Sequence, residues 1–167
     1  MGTIGKYGVV LGLLVVAWTF VMGFTGWYRD PVLLNLFFMV VLFEIAVLYF
    51  ALQKTAAEGR TYGKQVVAGI LVAVVAAPII FLGSILFTSV VFPSYFEEVR
   101  GAQETMLRES GMPEEMIRQR LDATAVTQTS VFNAALGAFM TILTAAVASA
   151  VIALFVRARP AEPPRAA

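Results

Sequence analysis

The sequence predicts an all-α integral membrane protein, a four-helix bundle with a helical hairpin between its third and fourth spans. Three observations carry this. Of 167 residues, 59% are apolar and only 14% charged, against roughly 45–50% and about 25% in soluble domains. The mean hydropathy is +0.82. The apolar residues gather in four uninterrupted runs, each long enough for the ~20 residues needed to cross a hydrocarbon core of about 30 Å. A soluble fold of this length could not hide so much apolar side chain.

The first run, Tyr7 to Tyr28, carries no charge and closes on Gly26-Trp27-Tyr28-Arg29. An aromatic belt followed by a charge marks a retained helix rather than a signal peptide, whose apolar stretch is shorter and ends at a small-residue cleavage site. The second run, Val32 to Leu52, holds one acid, Glu44, and Pro31 suits its first turn. The third, Gln65 to Phe92, contains Pro78. The fourth, Val126 to Val156, is free of charge. Apolar on every face, these runs lack the alternation of barrel strands. Residues 1–160 therefore read as one four-span transmembrane domain, and residues 161–167, rich in Pro and Ala, as a disordered cytoplasmic tail.

Four spans put both termini and the 53–64 link on one side. That side carries seven Lys and Arg residues in short segments: Lys6, Lys54, Arg60, Lys64, Arg157, Arg159 and Arg165. The other carries five, Arg29, Arg100, Arg108, Arg118 and Arg120, among eight acids. The excess of positive charge predicts cytoplasmic termini and an extracytoplasmic segment 93–125, in a bacterial inner membrane. Within 94–124 two short helices are expected, parted at Gly111 and Pro113, with Phe96, Val99, Met106, Ile117 and Leu121 as a modest apolar face. That face would lie on the bilayer or the other helices; as alternatives it would dock a partner or cover a cavity.

Composition excludes much chemistry. Without Cys or His there is no disulfide, thiolate nucleophile, imidazole base, or His- or Cys-ligated metal or haem. No phosphate loop, nucleophile elbow or paired-carboxylate constellation is present, so no catalytic, cofactor or metal residue is assigned. A net charge of +1 points away from nucleic acid. The expected partners are the lipid bilayer and a protein partner or further copies of the chain.

Glu44, thirteenth of 21 residues in its run, lies near the membrane midplane. An acid there is costly unless neutralised or paired, so it is a candidate polar site. It is either a proton or cation site or a protonated acid hydrogen-bonded between helices. Depth matching offers three hydroxyl partners: Thr19 on the first helix, Thr141 or Thr144 on the fourth. Pro78 removes a backbone hydrogen bond and is expected to kink the third helix. Asn133 and Gln128 suggest inter-helix hydrogen bonds. Small residues recur every four positions at Gly137, Thr141, Ala145, Ser149 and Ala153, at Gly69, Ala73 and Ala77, and at Gly8 and Gly12. Such stripes let helices approach closely in lipid, within a chain or between chains.

Three features carry a family resemblance. They are the opening Lys6-Tyr7-Gly8, the link ending Thr61-Tyr62-Gly63-Lys64, and the segment Pro93-Ser94-Tyr95-Phe96 followed by Ser110-Gly111-Met112-Pro113-Glu114-Glu115-Met116 and the fourth span. With these the chain resembles domain-of-unknown-function family 4199, bacterial four-span membrane proteins, over about residues 6–157. The resemblance implies architecture and carries over no catalytic residue. The leading expectation is an accessory or structural subunit of a membrane complex, acting through helix packing and its outer hairpin. The alternative is a small homo-oligomeric transporter or channel with Glu44 as its proton or cation site. A membrane enzyme ranks third and would draw on acids such as Glu97 and Glu98.

Overall fold

A computed structural model describes residues 2–30, 32–125 and 127–156. Pro31, Val126 and the tail, with Arg157, Arg159, Glu162 and Arg165, lie outside the described residues. Six α-helices follow in order: α1 Thr3–Thr25, α2 Met39–Ala57, α3 Tyr62–Leu86, α4 Tyr95–Glu109, α5 Glu114–Ala125 and α6 Ser130–Phe155. With their flanking turns, four are long and apolar enough to cross a membrane: Thr3–Thr25, Leu33–Ala57, Tyr62–Val91 and Ser130–Phe155. The molecule is an all-α membrane helical bundle, with no strand among the described residues.

Local chemistry explains the ends. Gly26 takes a left-handed conformation, φ 72°, and closes α1. Gly111, φ 74°, does the same between α4 and α5. The approach to α2 is not α-helical, although its hydropathy had suggested a helix from Val32. Asp30 accepts from the backbone N–H groups of Val32 and Leu33, at 2.8 and 3.2 Å, and a 3₁₀ helix runs from Leu33 to Phe38. The Trp18 indole N–H donates to the Leu36 carbonyl at 3.0 Å and ties this turn to α1. The third span continues through Pro78 as one helix to Leu86, then loosens into a π turn at Phe87–Val91.

Around the bundle the order is α1, α3, α6, α2. The closest pairings are α3 with α6 and α3 with α1. Small residues make them close. A Cβ on Gly8 would stand 2.6 Å from Val75 Cβ, and one on Gly12 2.8 Å from Ile79 Cβ. At Gly69 it would collide with the Ser149 side chain. The core of Leu11, Leu48, Leu52, Val72, Ala73, Ala76 and Ala145 fills the end of the bundle where the chain begins. There Thr3 donates to Glu58 at 3.1 Å and the Tyr62 hydroxyl to the Ala150 carbonyl at 3.2 Å, which gathers the starts of α1 and α3 with the ends of α2 and α6.

The α4–α5 hairpin sits at the opposite end. Val99, Ile117 and Leu121 are buried, while Met106 and Met116 point outward. Arg108 bridges Glu104 and Glu114, and Arg100 pairs with Asp122. Rings from the 3₁₀ turn Trp27–Arg29 after α1, the π turn and α4 lock the hairpin to the bundle. Phe87 packs on Phe92 with centroids 4.7 Å apart, and Tyr95 on Tyr28 at 5.1 Å and on Phe87 at 5.3 Å.

Candidate functional site

Glu44 lies on the face of α2 turned toward α6 and is 4% exposed. The Thr144 hydroxyl donates to its Oε2 at 2.7 Å. Its other oxygen, Oε1, is buried without a hydrogen-bond partner among the described residues. Beside it a groove of about 460 Å³ runs between α2 and α6. Val41 and Ile45 form one wall; Leu143, Val147 and Val151 form the other. These walls are wholly apolar, and their outward residues are half exposed (Val147 is 62% exposed), so the groove opens on the lipid-facing side.

The groove follows from side-chain size. On α6, Ala145, Ser149 and Ala153 are buried, and at Ser149 the helix meets Gly69 of α3. That contact draws α6 toward α3. Facing α6, α2 offers Val41, Glu44 and Ile45, which keep the two backbones apart. The same packing accounts for the small-residue stripe. Three of its members are buried within one chain, while a Cβ on Gly137 would meet nothing within 4 Å.

The other two threonines proposed for Glu44 lie elsewhere. Thr19 donates to the Val15 carbonyl and Thr141 to the Gly137 carbonyl, both at 3.0 Å. Three residues along a helix turn the face by about 60° from the starting direction, which separates Thr141 from Thr144. Both Thr19 and Thr141 line a second cavity, of about 160 Å³, toward the hairpin end. Ser84, Thr88, Tyr95 and Asn133 line it too. Among the described residues the side chains of Ser84, Tyr95 and Asn133 form no hydrogen bond there. Tyr95, the first residue of α4, closes this cavity against the hairpin, and burial pushes its hydroxyl pKa up to about 12. Gln128 precedes α6 and takes no part in either cavity. Pro78 is exposed and lines neither.

One polar cluster was not foreseen. Glu98 Oε2 accepts from both the Arg29 guanidinium and the Tyr28 hydroxyl, the latter at 2.7 Å. Its Oε1 accepts from Ser94 at 2.7 Å. Arg29, then Tyr28 and Ser94, hold the carboxyl down at about 2. Burial, with Glu98 as neighbour, raises the Tyr28 hydroxyl above its ordinary value. Ser94 and Glu98 stand one helical turn apart, a local i,i+4 pair; the partners seventy residues away left no mark in the sequence. Among the described residues no group of three or more acids is placed to hold a metal.

The family model described as "Protein of unknown function (DUF4199)" matches residues 6–158. The chain belongs to that family. Its match takes in the second, third and fourth apolar helices, all but the first three residues of the first, the hairpin, Glu44 and Glu98, so both polar clusters stand inside the shared region. Comparison with curated proteins and with solved structures finds no match.

Proposed function

We propose that this protein is a small transporter of a bacterial cytoplasmic membrane with Glu44 as its cation or proton site. Its termini face the cytoplasm and its hairpin the outside, in keeping with the excess of Lys and Arg at the terminal end. One observation carries the reading. A carboxyl near the middle of the second span, 96% buried, has one oxygen held by Thr144 and the other buried without a hydrogen-bond partner among the described residues, on a residue that lines an open groove. Acids at this depth face cavities or partners and mark ion paths. An acid kept only to join two helices would be expected to use both oxygens.

The test is flux in liposomes loaded with a pH-sensitive dye under an imposed membrane potential. Wild-type protein is expected to move protons or exchange them for a cation well above empty liposomes. Glu44→Gln should fall to the empty level while eluting at the wild-type position. Wild-type flux that is absent, or equal in Glu44→Gln, would sink the reading.

A second reading, an accessory subunit, draws support from the hairpin, where Met106 and Met116 stand 46% and 48% exposed as adaptable apolar contacts. The small-residue stripe no longer favours it, because Ala145, Ser149 and Ala153 are buried within the chain. Native mass spectrometry from the native membrane separates the two: a second polypeptide at fixed stoichiometry supports the subunit.

A further inference from the structure

We infer that the α2–α6 groove is a binding site for a lipophilic organic cation, reached sideways from the bilayer, with Glu44 Oε1 as its counter-ion. This rests on the transport reading and names its substrate class. Charge complementarity is the first argument. Glu44, whose unpaired Oε1 lies buried beneath the groove, is the only acid among the described residues that line it, and α6 contains no acidic or basic residue from Ser130 to Phe155. The nearest base along α2 is Lys54, ten residues away, or about 15 Å of helix. A cation arriving here meets no competitor for the carboxylate.

The walls define the rest of the ligand. A small inorganic cation needs several oxygens to replace its water, and the groove supplies one carboxyl and one hydroxyl among aliphatic side chains. An organic ammonium or phosphonium sheds little water and gains contact with Val41, Ile45, Leu143 and Val147. The volume of about 460 Å³ is that of a pocket for one small organic molecule. Its length excludes a bulkier occupant. It spans Leu143 to Ile152 on α6, about 14 Å, whereas a partner's spanning helix would need a track of about 30 Å.

Two ions of near-identical shape and opposite charge test this: tetraphenylphosphonium and tetraphenylborate, titrated by calorimetry into the full chain in lipid nanodiscs. The phosphonium is expected to bind saturably and at least tenfold more tightly than the borate. Glu44→Gln should weaken phosphonium at least tenfold and leave borate unchanged. Val147→Trp, which fills the groove from its exposed rim without touching the carboxyl, should weaken phosphonium as well; it decides the matter if Glu44→Gln fails to fold. Equal binding of the two ions, or phosphonium binding untouched by both variants, would overturn the proposal. So would a site open in nanodiscs but closed in native membranes, since a partner polypeptide would then hold the groove. Glu44-dependent proton flux without phosphonium binding would remove the substrate class and leave the transport reading standing. Phosphonium binding without flux would do the reverse.

Discussion

The Thr144 hydroxyl donates to Glu44 Oε2 at 2.7 Å and joins α6 to α2 across a hundred residues of chain. The same hydroxyl lies 2.9 Å from the Met140 carbonyl, its own helix's alternative acceptor. The bond to Glu44 is therefore a choice between a local partner and a distant one. Thr144→Val keeps the shape and removes the donor. Inter-helix hydrogen bonds in membranes contribute about 0.6 kcal/mol on average and up to about 1.7. A loss of about 0.5–2 kcal/mol is expected in reversible unfolding in mixed micelles. No loss at all would mean that the carboxyl does not depend on this donor.

Gly69 and Gly137 make a matched pair for testing the helix contacts. A methyl at Gly69 collides with Ser149, whereas one at Gly137 meets nothing within 4 Å. Gly69→Ala should destabilise by about 1–3 kcal/mol through overpacking. Gly137→Ala should be neutral or slightly stabilising, since alanine favours the helix. Similar unfolding midpoints for the two variants would refute the α3–α6 packing described above.

Glu98 predicts an acid-sensitive latch for the hairpin. Its carboxyl is held down to about 2 by Arg29, Tyr28 and Ser94. A depressed folded-state value means that the stabilisation is complete above the unfolded value, about 4.5, and is lost as pH falls toward about 2. Arg29 is 62% exposed, so solvent screening keeps the contribution modest. The thermal midpoint of the wild type should drop through this window more steeply than that of Glu98→Gln. Parallel curves would show that the cluster does not stabilise the fold.

Tyr95 caps the smaller cavity, and the chain has no cysteine, so a single introduced thiol reports cleanly. A Thr141→Cys variant should react slowly with a small charged thiosulfonate from the hairpin side. Adding Tyr95→Ala should speed that reaction severalfold. Unchanged rates would mean that the tyrosine is not the closure.

The proposed orientation is checked in the same background. Arg118→Cys and Lys64→Cys both place exposed thiols at opposite ends of the bundle. In intact cells an impermeant maleimide should label the first and spare the second until the membrane is opened. The reverse pattern would invert the topology.

Much of the architecture was legible because each residue's cost in lipid is decided locally. Twenty apolar side chains in a row specify a span whatever their neighbours, and Gly111 marks a helix end by backbone geometry alone. Glu44 stood out for the same reason, as the one acid at depth. Hydropathy is blind, however, to a helix's rotation about its own axis. Only the packed bundle chose Thr144 over Thr19 and Thr141, turned the small residues of α6 inward, and left the groove beside Glu44 open. Those outcomes depend on which surfaces fit together at contact distance. Tertiary structure likewise brought Glu98 to Tyr28 and Arg29, because a meeting of residues seventy positions apart is set by how α4 folds back, not by any spacing along the chain.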